Sequence, residues 1–140
     1  MNFFRLLLCV ALLISGAACR KQAVASPEAL AREAVGRILV TKIPAGATKV
    51  EYSGAAMMTR VEDVRFECSE ADFKAFWTGS PKLSEAMPFE SLAGIPSSLA
   101  KLLDTKWTAG GGTLFCQIEA GRVGSGQVAV TIKTTFESDR

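Results

Sequence analysis

The chain has 140 residues, 49% of them hydrophobic, and sets 16 Lys and Arg against 14 Asp and Glu. That length fits one domain, and so even a charge balance excludes the basic stripe that a phosphate backbone requires, so nucleic acid is not an expected partner. There is no histidine, which excludes a Ser-His-Asp or Cys-His site and a zinc site built on imidazole.

The first segment is an address. Met1 to Arg5 carries one positive charge, Leu6 to Ile14 is apolar and uncharged, and Ser15, Gly16, Ala17 and Ala18 lead into Cys19. This is the order of an export signal. The uncharged run from Leu6 to Ala18 falls short of the roughly 20 residues that cross a bilayer as a helix, and Arg20 with Lys21 closes it, so a transmembrane helix is not expected.

The stretch LLISGAAC, Leu12 to Cys19, resembles the lipobox of bacterial lipoproteins, in which a cysteine behind small residues is acylated and becomes the new N-terminus. The resemblance covers only this segment. It implies a signal peptide over 1–18, lipidation with palmitate-type chains at Cys19, and a lipidated N-terminus and tether over 19–26. Arg20 after the cysteine implies the periplasmic face of the outer membrane in preference to the inner membrane. The competing reading is ordinary cleavage, for which Gly16-Ala17-Ala18 and Ala23-Val24-Ala25 offer small residues at suitable spacing; it would release an unanchored, secreted protein.

With Cys9 removed alongside the signal and Cys19 lipidated, Cys68 and Cys116 remain, in a compartment that permits disulfides. We expect them to be bonded, which would stabilise the fold by roughly 4 kcal/mol in the chain-entropy model.

The domain proper, 27–140, opens on a helix. Ser26 is its N-cap, Pro27 suits the first helical position, and Leu30, Ala34 and Ile38 recur on one face up to about Leu39. IPAGA, Ile43 to Ala47, breaks the chain before a strand from Thr48 to Ser53. A second strand runs to Cys68, with Val64, Phe66 and Cys68 on the buried phase; Val61 is out of phase, which suggests a bulge near Glu62. Ser69 then caps a second helix ending at Gly79, with Phe73, Phe76 and Trp77 on one core-facing side.

Pro81, Pro88, Gly94 and Pro96 obscure the next stretch, where a short helix over Ser97 to Leu103 is expected. TAGGGT, Thr108 to Thr113, is a turn. Two strands close the chain as a hairpin, one with Leu114, Cys116 and Ile118 in its apolar phase and the other with Val128, Val130, Ile132 and Phe136. The expected fold class is α+β, an antiparallel four-stranded sheet made of two hairpins with helices packed on one face.

Little points to catalysis. Glu62 with Asp63, or Glu67 with Glu70, are the available carboxylate pairs, and all four read as solvated surface charge. No acidic, glycine-containing calcium loop is present, and neither a metal nor a cofactor is expected. Lys49, Glu51, Arg65 and Glu67 read as cross-strand charge pairs. Trp107 and Phe115 are the candidate partner patch, Phe115 because it falls on the polar phase of its strand; the alternative is a covering segment that makes Phe115 part of a second small core. The expectation is therefore a lipid-anchored, noncatalytic envelope protein, an accessory subunit touching an envelope protein partner or a binding module. A secreted inhibitor or ligand-binding protein is the alternative.

Overall fold

The Ser26 hydroxyl accepts the Ala29 amide at 3.1 Å and starts helix α1, Pro27–Leu39, which ends where Val40 turns left-handed at φ 54°. The computed structural model describes residues 23–139; the signal peptide, Cys19 and the start of the tether lie outside the described residues. Ala31, Ala34, Val35, Ile38 and Leu39 form the buried face of α1. No helix among the described residues is long and apolar enough to cross a membrane.

Strands β1, Thr48–Ala56, and β2, Thr59–Ser69, form a hairpin with Met57 and Met58 at its tip. Ser69 accepts the Asp72 amide at 3.0 Å and caps helix α2, Glu70–Thr78. Ser80 repeats the Ser-Pro opening of α1, capping the short helix α3, Pro81–Ala86. The Ser80 hydroxyl also donates to the Leu39 carbonyl, so one buried side chain ties the end of α1 to the start of α3. A 3-10 turn, Phe89–Ser91, precedes β3, Ala100–Ala109, then β4, Gly112–Arg122, and β5, Gln127–Ser138.

The class is α+β as expected, but the antiparallel sheet has five strands, in the order β1-β2-β5-β4-β3. The added strand is β3, which replaces the short helix expected over Ser97 to Leu103. Its pairing with β4 shifts register between Lys101 and Leu103, so adjacent Leu102 and Leu103 break the period of two that marks a strand. The glycines of TAGGGT do make a turn: Gly110 and Gly111, at φ 47° and 84°, form the two-residue tip between β3 and β4, a geometry that requires left-handed backbone at both positions.

Three helices lie on one face, and that face carries the core in rows across the strands. Phe66, Val130 and Ala120 make one row; Val64, Ile132, Ile118 and Leu103 the next; then Glu62, Thr134, Cys116 and Thr105; and last Arg60, Phe136, Leu114 and Trp107. Beneath α2 the first rows meet Phe73, Phe76 and Trp77, all buried. Phe66 packs edge-on against Phe76 with centroids 5.4 Å apart, and the Trp77 indole N–H donates to the Met87 carbonyl at 2.8 Å.

Two expectations need correction here. The β2 register runs without a break from Thr59 to Ser69 against β5, so there is no bulge at Glu62. Val61 is exposed and Glu62, only 4% exposed, takes the core phase instead.

The disulfide does not form either: Cys68 and Cys116 are both buried free thiols. They share a face, but Cys68 stands opposite Val128 and Cys116 opposite Thr134 on β5. At about 3.4 Å per residue those positions are roughly 20 Å apart along the strand, far beyond the ~4.4–6.8 Å between Cα atoms that a disulfide allows.

Candidate functional site

Glu62 is the one buried acid among the described residues. Strand phase sends its side chain inward next to Val64, and burying a carboxylate there is costly unless it is paired and hydrogen-bonded. It is. The Arg37 guanidinium, reaching down from α1, donates through Nη2 to Oε1 at 2.7 Å and Oε2 at 2.9 Å. Arg60 Nη2 approaches Oε1 at 3.3 Å, and the Tyr52 hydroxyl donates to the same oxygen at 3.0 Å.

Burial, and then the hydrogen bond to Glu62, push the Tyr52 phenol above its ordinary value and keep it protonated as the donor. Tyr52 can lie along β1 towards Glu62 because the next position on that face is Gly54, where a Cβ would collide with the phenol oxygen.

This cluster forms one wall of a pocket of about 290 Å³, close to the lower bound of small-ligand sites. Arg37 and Ile38 come from α1, Lys82 from α3, Arg60 and Glu62 from β2, and Leu114 and Phe136 from the facing strands. The space exists because the row holding Thr134 and Cys116 is short-chained, while Leu114 and Phe136 in the next row stand tall. Lys82 also lies over Trp107, 5.2 Å from the ring centroid, an attraction between cation and aromatic face that fixes the ammonium near the mouth.

Three cations and one carboxylate therefore share an opening with an apolar wall. Arg37 and Arg60 each use only Nη2 towards Glu62, and a guanidinium carries five N–H donors. Donors remain for an incoming anion. Glu62, held by two cations and a phenol, serves as the fixed counter-ion that positions them.

The residues singled out from sequence are not gathered here. Cys19 lies outside the described residues. Cys68 is deep in the core away from the pocket, while Cys116 sits in the row beside Glu62. Burial pushes the Cys68 thiol up to about 11 and the Cys116 thiol up to about 12, so neither is a ready nucleophile at neutral pH.

Trp107 and Phe115 do not make one patch. Trp107 pairs with Leu114 on the helix-covered face, half-buried beneath Lys82, whereas Phe115 pairs with Lys106 and Thr135 on the opposite face and is 39% exposed. Their strands' alternation sends them opposite ways. Among the described residues no segment covers Phe115 to make a second core around it. The chain at 96–99 crosses this second face at Gly121; beside it the face carries charge pairs, Lys49 with Glu67 at 2.9 Å and Lys133 with Glu119 at 3.1 Å among them.

No protein-family model, curated protein or solved structure matches the chain. The site must be read from its own chemistry. Reading Glu62 as surface charge missed it, and the signal that finds it is phase: it lies two residues before Val64 in the set Val64, Phe66 and Cys68, so the same alternation that buries those side chains buries an acid.

Proposed function

We propose that the protein is a lipid-anchored, noncatalytic binding module of the bacterial envelope, held through Cys19 at the periplasmic face of the outer membrane, and that its pocket takes a small amphipathic anion. The observation that supports the binding role is the union, at one mouth, of Arg37, Arg60 and Lys82 with the apolar side chains of Ile38, Leu114 and Phe136. Guanidinium groups bind carboxylate or phosphate oxygens by paired N–H donors, and the apolar wall covers a short chain. The noncatalytic reading rests on the commitment of Glu62 to three partners and on the absence of histidine.

The anchor rests on the lipobox resemblance at Leu12 to Cys19. Several acyl chains hold a protein at a bilayer firmly, at about 0.8 kcal/mol per buried methylene. Intact mass of the protein from its native membrane fraction tests this: a chain beginning at Cys19 and heavier by a diacylglyceryl group supports the anchor. An unmodified chain beginning at Cys19 or Ser26 replaces it with secretion.

Titration calorimetry with octanoate and octyl phosphate tests the pocket. Saturable binding that weakens about tenfold in Arg60→Ala, the loss of one charge-assisted contact, is the expected result. Failure of the folded protein to bind either probe sinks the ligand class.

A further inference from the structure

The hairpin tip between β1 and β2 is the most exposed apolar feature of the domain: Met57 is 95% exposed, Met58 75% and, just behind them, Val61 46%. The segment Gly54 to Val61 reads GAAMMTRV, and its only charge is Arg60. Two adjacent thioether chains held out at a turn fill no gap in the core. Flexible, apolar and unbranched, they adapt to an irregular, fluid surface.

The chain that leads to the anchor ends close by. Pro27, the first residue of α1, lines a shallow groove with Val50, Tyr52 and Ser53 of β1. From Ser53 the strand continues to Met57, about 14 Å further at ~3.4 Å per residue. Fully extended, the eight steps from Cys19 to Pro27 span at most about 29 Å at 3.6 Å each. A lipid attached at Cys19 therefore keeps the bilayer surface within reach of the tip. The opposite end of the sheet, with Val123 between β4 and β5, is separated from the tip by the length of the strands.

We propose that the β1–β2 tip is a second membrane contact, with Met57 and Met58 seated in the headgroup and acyl boundary of the bilayer and Arg60 at the headgroups. An apolar tip next to a cation suits an interface whose outer layer is polar and whose next layer is hydrocarbon. The pocket lies at this same end, with Arg60 shared between its wall and the base of the tip, so docking brings the pocket close to the lipid. This inference rests on the anchor proposed above, and its test separates the two.

The experiment uses the mature full-length protein in vesicles of phosphatidylethanolamine and phosphatidylglycerol, carrying an environment-sensitive NBD fluorophore on Met57→Cys or, as the far-end control, on Val123→Cys. The native thiols Cys68 and Cys116 are buried and an acylated Cys19 has no free thiol, so labelling is confined to the new site; a preparation without acyl mass is compared as Cys19→Ser, which removes the remaining thiol. The expected result is a blue shift of at least ten nanometres and strong quenching by brominated lipid at 57, with water-like emission at 123.

Acylated, vesicle-bound protein whose reporter at 57 stays water-like overturns the tip contact and leaves the anchor standing; a protein partner for the methionines would give that result. Protein without acyl mass that still seats the 57 reporter in lipid upholds the tip and overturns the anchor. Protein with neither acyl mass nor vesicle binding overturns both.

Discussion

The two ends of the helix-covered face are built on opposite principles. Under α2, Phe66, Phe73, Phe76 and Trp77 close a dry core in which the Trp77 N–H is matched by one carbonyl. At the other end the same sheet buries Glu62, and its neighbours become Arg37, Arg60 and Tyr52. One strand, β2, spans both within a single unbroken register. The difference teaches that stability and recognition are divided along the strand direction: apolar area holds the fold at one end, and the other spends part of its core positions on fixed charges and open volume.

The largest expected effect lies at the dry end. Trp77→Ala removes a fully buried ring and orphans the Met87 carbonyl, and should cost about 3–5 kcal/mol in urea unfolding. A loss below about 1 kcal/mol would mean that the dry end is not where stability resides. At the polar end Glu62→Gln leaves two guanidiniums facing a neutral amide, a cost of about 1–3 kcal/mol, towards the lower value because Arg37 and Arg60 are 41% and 46% exposed and can turn to water. If Glu62→Gln proves as damaging as Trp77→Ala, the contrast between the ends breaks.

The two thiols sharpen the comparison at smaller scale, since Cys68 belongs to the dry end and Cys116 to the row of Glu62. Burial raises both; at Cys116 Lys82 opposes it and Asp104 adds to it. A thiol whose pKa is higher folded than unfolded lends stability that is complete below the unfolded value near 8.5 and disappears as pH rises through the folded one. Stability should therefore decline between about pH 8.5 and the folded values of about 11 and about 12. Iodoacetamide at pH 8 should leave both unmodified in the native protein and modify both in urea, with no mass gained on reduction beforehand. Rapid alkylation of Cys116 alone would show that Lys82 outweighs burial at the polar end.

Much of the fold was legible in local signals. Ser26-Pro27 and Ser69 mark the starts of α1 and α2 because a hydroxyl can satisfy an otherwise unpartnered amide, and the spacing of Phe73, Phe76 and Trp77 shows which side of α2 is buried. Ser80-Pro81 carries the same signal as Ser26-Pro27 and would have placed α3. What stayed hidden is long-range. Strand phase says which face Cys68 and Cys116 occupy, but only the pairing of each strand with β5 says how far along it they lie. β3 was lost because its bulge puts Leu102 beside Leu103 and its edge carries Lys101, Asp104 and Lys106, charges that keep an open edge from pairing with other chains. The pocket was out of reach for the same reason, being assembled from two helices and four strands distant in sequence.

The place of β5 has a kinetic consequence. It is the last of the five strands and lies at the centre of the sheet, between β2 and β4. The β1–β2 and β3–β4 hairpins can each close locally, yet an isolated hairpin is marginal in water. They become one sheet only when β5 arrives between them, so closure waits on contacts of high sequence separation, which form slowly. A chain emerging from its N-terminus would therefore remain unable to close this sheet until β5 had emerged.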